Sequence, residues 1–417
     1  MWVSSSARGL FLGLFFLAAS ACVSARVLDA EADRFFREGQ YEKAASHLES
    51  EYQKRAESAR ASGADFEDEL LYLLDWGLSL HTAGNYEASN VAFALAERHV
   101  WGNDYTSMGE EVGTLLTGEN TKVYRGEDFE KVMIHVYKAL NFALLGKGEE
   151  ALVEARLVDR RLQALRRDDQ EPYKQNAFAR YLSGILYESE REWDDAYIDY
   201  KKTREIMPEL RELSQDLIRM AQRLGMRDQV ERWEREYGIK AERGRPKDQA
   251  EIIVIYQNGL GPRKVPREDF YSLPRFEPYP NSVRSAEVTV GGVVRGTTLV
   301  LHDIEATAIQ NLNERVGGMI AKRLAGRVVK EVAAAELERR TNNAAVGALA
   351  RVILIASDQA DLRSWLFLPR DLQILRVPVD PGNYEVRVRP VGASELPVQK
   401  VWVQSGEKKL VNFRYVP

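Results

Sequence analysis

The sequence predicts an α+β protein: a tetratricopeptide-like α-helical array followed by a mixed domain with antiparallel strands and a helical hairpin. Three observations carry this. Residues 30–235 read as helix after helix, and one turn pattern recurs in them four times. After Gly244 the texture changes to short apolar runs broken by Gly and Pro. Between those runs, residues 303–357 return to helical spacing.

Each helical unit has a turn, an aromatic or Gly anchor, a small residue three positions later and an apolar or small one seven later. The units are Gly39, Tyr41, Ala44 and Leu48; Gly84, Tyr86, Ser89 and Phe93, with Ala96 beyond; Gly146, Gly148, Ala151 and Ala155; and Trp193, Ala196 and Tyr200, closed by Pro208. The small residue lets two helices approach, and the aromatic fills the gap between them. Gly39, Gly84 and Gly146 stand where a first helix must stop and turn. The anchors at 41, 86, 148 and 193 step by 45, 62 and 45 residues. The tetratricopeptide period is about 34, so these are hairpins with extended linkers. Stacked hairpins offer a face that receives a peptide or protein segment. The stripe Tyr137, Leu140, Asn141 and Leu144 reads as helix core rather than a ligand groove. Glu130, Glu154 and Arg156 are charges among apolar neighbours. Glu154 and Arg156 are two apart on a helix and do not face each other. An interhelical salt bridge is the favoured reading, a binding site the lesser one.

In the second half, the run Glu251 to Tyr256 is continuously apolar after its charged first residue and precedes Asn258-Gly259, a buried strand and its turn. Five prolines between 262 and 280 mark an irregular connection. Residues 286–290, a Gly291-Gly292 turn and residues 293–301 read as a hairpin. In the next helix Ile304, Ala308, Leu312, Val316, Ile320 and Leu324 step by four along one face, and Gly317-Gly318 weaken it. Residues 344–356 are a second apolar run, broken only by Arg351 and too short to span a bilayer. Docking on another element outweighs dipping into a membrane interface. Residues 372–379, 384–388, 401–403 and 410–415 complete a small antiparallel set.

Arg8, an apolar run from Leu10 to Ala19 and the small residues before Cys22 form a secretory signal. Cys22 is the only cysteine of the 417 residues, and its place at the cut point suits lipid attachment. The segment resembles a bacterial lipoprotein signal, with Ala19 where that pattern prefers Leu. The expected organisation is a signal peptide at 1–21, a helical domain at 22–240 and a mixed domain at 250–417. Hydrophobic residues at 45% and charged residues at 29% are ordinary for a folded soluble chain. The net charge of −5 argues against nucleic acid as a partner.

No catalytic constellation stands out. The five histidines lie apart, and there is no His-Glu-x-x-His, no Gly-x-Ser-x-Gly, no phosphate-binding loop and no metal-ligand spacing. No cofactor is expected. Asp358 and Asp361, beside Arg363, suit capping and ion pairing better than hydrolysis or calcium binding. The block Asp361, Arg363, Trp365 is the best candidate functional element. Arg363 could clamp a carboxylate or phosphate, or the block could lock the joint between the apolar helix and the strands; the joint is favoured.

This block, Leu368-Pro369, the Pro381-Gly382-Asn383-Tyr384 turn, the 124–156 segment and Cys22 together resemble a family of uncharacterised bacterial lipoproteins with a tetratricopeptide-like N-terminal half. The resemblance implies an exported, lipid-anchored protein, and no assigned activity comes with it. Val23 after the Cys implies the outer membrane, facing the periplasm. The expected function is a non-catalytic module that binds or scaffolds envelope proteins or peptides. The alternative is an envelope enzyme or activator acting on cell-wall polymer.

Overall fold

The computed structural model describes residues 28–102, 123–168, 176–240, 249–356 and 359–417. Cys22 and Asp358 lie outside the described residues. The chain is α+β. Its helices are α1 (Ala30–Arg37), α2 (Tyr41–Ser62), α3 (Glu69–Thr82), α4 (Tyr86–Gly102), α5 (Asp128–Leu144), α6 (Gly148–Asp168), α7 (Ala177–Ser189), α8 (Trp193–Ile206), α9 (Leu213–Arg223) and α10 (Arg227–Tyr237). Among the described residues they pair in order as five hairpins.

The five turns close identically. Gly39, Gly84, Gly146, Arg191 and Gly225 all take positive φ, between 63° and 84°. In each, the amide of that residue donates to a carbonyl three back, and the next amide donates to one five back: Gly39 to Phe36 and Gln40 to Phe35, Arg191 to Glu188 and Glu192 to Tyr187. The fifth pair, α9 and α10, escaped the sequence pattern because it lacks the anchor: Arg227 stands where Tyr41, Tyr86 and Trp193 stand in other units. Close packing within the pairs rests on glycine opposite an aromatic ring. A Cβ at Gly77 would lie 2.8 Å from the Phe93 ring, and one at Gly184 would lie 2.6 Å from Tyr200.

The second half has strands β1 (Ala250–Asn258), β2 (Arg263–Pro266), β3 (Pro274–Glu277), β4 (Ala286–Val290), β5 (Val293–Thr297), β6 (Leu299–Asp303), β7 (Asp371–Val379), β8 (Gly382–Pro390), β9 (Gln399–Val403) and β10 (Lys408–Tyr415), with helices α11 (Ile304–Thr341) and α12 (Ala344–Ala356) between β6 and β7. One sheet runs β10-β1-β7-β6, the other β5-β4-β8-β9, and β2 pairs with β3 inside the proline-rich connection.

Three details depart from the sequence expectation. β10 pairs parallel to β1 rather than joining an antiparallel set. The 293–301 run is split at Thr298, so β5 stays with β4 while β6 crosses to β7. The step-of-four face of α11 is buried only at Ile304, Ala308 and Leu312; Leu324 is exposed. Four residues turn about 400°, so such a row drifts about 40° per step and winds off the core.

The first sheet lies between two layers. Ile252, Val254, Tyr256, Val377, Val379, Val411 and Phe413 pack on Val288, Val386, Val388 and Val403 of the second sheet. Ile253, Ile255, Leu372, Ile374 and Leu410 pack toward the helices. A strand buried on both faces needs an uninterrupted apolar run, which is why residues 252–256 do not alternate. β7 divides between the same two layers: Leu372, Ile374 and Arg376 face the helices, while Val377 and Val379 face the other sheet.

Candidate functional site

The first helix of every pair turns a residue onto the β-domain. Phe36 of α1 stacks on Phe367, ring centres 4.1 Å apart. Tyr137 of α5 donates to Gln257 of β1 at 3.0 Å. Glu188 of α7 meets Arg376 of β7 at 3.1 Å, and Asp216 of α9 meets the same guanidinium at 3.0 Å. The helical face expected to receive a peptide is therefore covered by the chain's own sheet and by residues 363–370. Tyr137, Leu140 and Asn141 are core there.

Three polar clusters line this seam. In the first, Glu130 and the Asp361–Trp365 block come together. Glu130 Oε1 accepts the Trp365 amide at 2.8 Å; its Oε2 accepts the Tyr124 hydroxyl at 2.7 Å and the Glu127 amide at 2.9 Å. Asp361 takes Arg363 through Nε at 2.9 Å and Nη2 at 2.7 Å, while Arg363 Nη1 lies 3.4 Å from Asp68 of α3. Arg363 also covers the Tyr124 ring at 5.3 Å. Trp365 is buried against Phe93 and Tyr137, and its indole N–H has no partner among the described residues. Burial, then the neighbouring Glu127, raises the Glu130 carboxyl above the usual range. Glu127 is partly buried, but Lys264 at 2.6 Å and Arg315 at 2.5 Å outweigh the loss of solvent and bring it down to about 2. Arg363 is buried with both guanidinium edges engaged, which leaves no free fork for a ligand anion.

Glu154 and Arg156 lie elsewhere and apart. Glu154 holds His135 at 2.9 Å and Lys138 at 2.6 Å, an ion pair between α6 and α5. Arg156 is half exposed and sits 3.6 Å from Glu192. Neither touches the Asp361 block.

Sequence reasoning missed the other two clusters. His81 Nε2 accepts from the Gln257 amide at 2.7 Å and the Asn412 amide at 3.1 Å. Since an amide NH2 only donates, Nδ1 carries the proton and gives it to Asn141 Oδ1 at 2.6 Å. Burial lowers the imidazole to about 4. The last cluster balances three acids with three bases. Glu188 takes Arg219, Arg376, Lys408 and the Tyr200 hydroxyl; Asp216 takes Arg219, Arg376 and the Tyr181 hydroxyl; Glu251 takes Arg376 and Lys408. Burial works against Glu188, yet three surrounding cations hold its carboxyl well below the usual range. The available signal was a charge on the inward face of otherwise apolar strands: Glu251, Arg376 and Lys408.

This ionic cluster borders a cavity of about 230 Å³, walled by Leu210, Leu299, Leu301, Ile374 and Pro378. That is smaller than the roughly 300–1,000 Å³ of ordinary ligand pockets, and two of the acids that line it, Asp216 and Glu251, are engaged by cations. Among the described residues no group of His, Cys, Asp and Glu is placed to hold a metal ion. No helix among them is long and apolar enough to cross a membrane.

No family model and no curated protein matches the chain. Solved structures do. MamA (residue 41 to the end) from Desulfovibrio magneticus RS-1 is 18% identical, with a TM-score of 0.32, covering 50% of this chain and 87% of that one. Another MamA crystal structure is 15% identical at TM-score 0.32, covering 51% and 94%. A tetratricopeptide repeat protein from Parabacteroides merdae is 16% identical at TM-score 0.32, covering 50% and 62%. At this similarity the likeness says nothing of function, and the helical pairs stand on their own turn geometry.

Proposed function

We propose that the protein is a lipid-anchored, non-catalytic scaffold of the cell envelope that binds other proteins through its outer surfaces. The observation that carries this reading is the disposition of apolar surface. The inner helical face is spent on the chain's own sheet, while Leu324, Val328, Val332 and Leu349 of the α11–α12 hairpin are exposed. Exposed apolar stripes on a charged protein mark interaction sites. The buried acids of the seam are committed to neighbouring cations and amides, as structural groups are. Attachment through Cys22, with the leader removed, supports an address at the periplasmic face of the outer membrane. Mass spectrometry of the N-terminus tests that part: a free thiol or a retained leader would remove the anchor. Photo-crosslinkers at Val332 and Leu349 test the other, with one at Val91 on α4 for comparison. Reproducible protein adducts from the hairpin positions are expected; none from any position would refute a scaffold.

A further inference from the structure

The exposed side of α11 carries a continuous apolar stripe. Gly317, Ala321, Leu324, Val328, Val332 and Ala335 follow at steps of 4, 3, 4, 4 and 3. That rhythm is close to the helix's own period, so the stripe runs straight for about 27 Å. Leu324, Val328 and Val332 are 50%, 64% and 64% exposed. α12 packs on another side, where Gly326, Lys330 and Ala334 are buried and Arg351 reaches Glu331 and Glu338. Charges flank the stripe: on one edge Arg327, over the Phe270 ring, and Glu331, paired with Arg351 but still 61% exposed; on the other Lys322 and Glu336, the latter paired with Arg339 and Arg340 of its own helix.

We propose that this stripe pairs with the same stripe of a second copy, antiparallel, about a two-fold axis beside Val328. This deepens the scaffold reading by naming one partner. The pattern is self-complementary. About that axis Leu324 faces Val332 of the other copy and Ala321 faces its Ala335, so bulk meets bulk near the centre and small side chains meet at the ends. The charges centre one residue, about 1.5 Å, from that axis. Arg327 and Glu331 stand equally far on either side of Val329, as do Lys322 and Glu336. An antiparallel partner therefore sets Arg327 near Glu331 and Lys322 near Glu336, twice each. In a parallel pair each charge would lie level with its own copy. Edges of mixed sign also suit another helix better than an anionic lipid surface, which calls for uniformly basic edges. A stripe this narrow covers less than the roughly 800 Å² per partner of a standard interface, so the dimer is reversible and concentration-dependent.

The test uses the full chain carrying Cys22→Ser, so that an added thiol stands alone. Val328→Cys, at the axis, should give a disulfide-linked dimer under mild oxidation, whereas Leu349→Cys on α12 should not. In sedimentation experiments Val328→Glu should weaken dimerisation at least tenfold. Lys322→Glu should weaken it several-fold, and Lys322→Glu with Glu336→Lys should restore it. These positions are exposed, and an unchanged thermal midpoint checks the fold. A chain that stays monomeric at high micromolar concentration, linkage through Leu349→Cys as strong as through Val328→Cys, or an undiminished dimer in Val328→Glu would each overturn the proposal. So would binding to phosphatidylglycerol vesicles that Val328→Glu abolishes in a chain that never dimerises. If hairpin crosslinks to other proteins persist without a dimer, the scaffold reading survives and this partner does not.

Discussion

Glu130 shows how one residue can hold two parts of a chain together. Its carboxyl accepts from Tyr124 and Glu127 just before its own helix and from Trp365 far along the chain. Glu130→Ala orphans all three donors, and an unmet buried donor costs about 1–3 kcal/mol. Urea unfolding should register a loss of about 3 kcal/mol or more, with Glu130→Gln losing clearly less because an acceptor remains. His302 shows the other kind of buried polar residue. Burial lowers its imidazole from 6.5 to about 4. A lowered histidine contributes stability while neutral, above the unfolded value of about 6.5, and loses it as pH falls from there to about 4. That span is worth about 3 kcal/mol. Asp199 works oppositely, since burial raises it to about 6 and the fold favours its protonated form. The isolating measurement is therefore a difference: relative to the parent, His302→Phe should gain about 3 kcal/mol between pH 7 and pH 4. A constant difference would show that His302 does not titrate in that window.

At the scale of elements, the helical pairs were legible because their signals are local. A turn residue, a small residue and an aromatic at fixed offsets need no knowledge of the rest of the chain. Arg191 is the exception among the turns, a non-glycine residue at φ 63° where three of the expected units carry Gly. A left-handed residue with a side chain costs about 1–2 kcal/mol. Arg191→Gly should therefore raise stability by about 1 kcal/mol, part of the gain being lost to the freer unfolded chain. Gly184→Ala should do the reverse, since its methyl would press on the Tyr200 ring; overpacking of this kind costs about 1–3 kcal/mol. Thermal unfolding of the two variants checks both signs. Strand pairing was less legible. Nothing local in residues 410–415 says that they lie parallel to β1, because that register is set by the distant strand beside them.

For the molecule as a whole, the sequence showed an α+β chain with two textures but not their union. Glu130 and the Asp361–Trp365 block were visible as candidates, yet their meeting is a contact across 235 positions of sequence. The ionic cluster was hidden for the same reason. Glu188, Asp216, Glu251, Arg376 and Lys408 are unremarked charges until α7, α9, β1, β7 and β10 converge. Removing one member of such a cluster leaves buried charge uncompensated, at a cost of about 3–5 kcal/mol. The seam thus couples the halves, and they should open together. Native-state hydrogen exchange tests this most directly. Amides of Ile253–Ile255 in β1 and of Ala139–Asn141 in α5 should exchange with the same opening free energy and the same denaturant dependence. Continued protection of the helical amides after the sheet has exchanged would show that the array stands without its β-domain, with its inner face free for another protein.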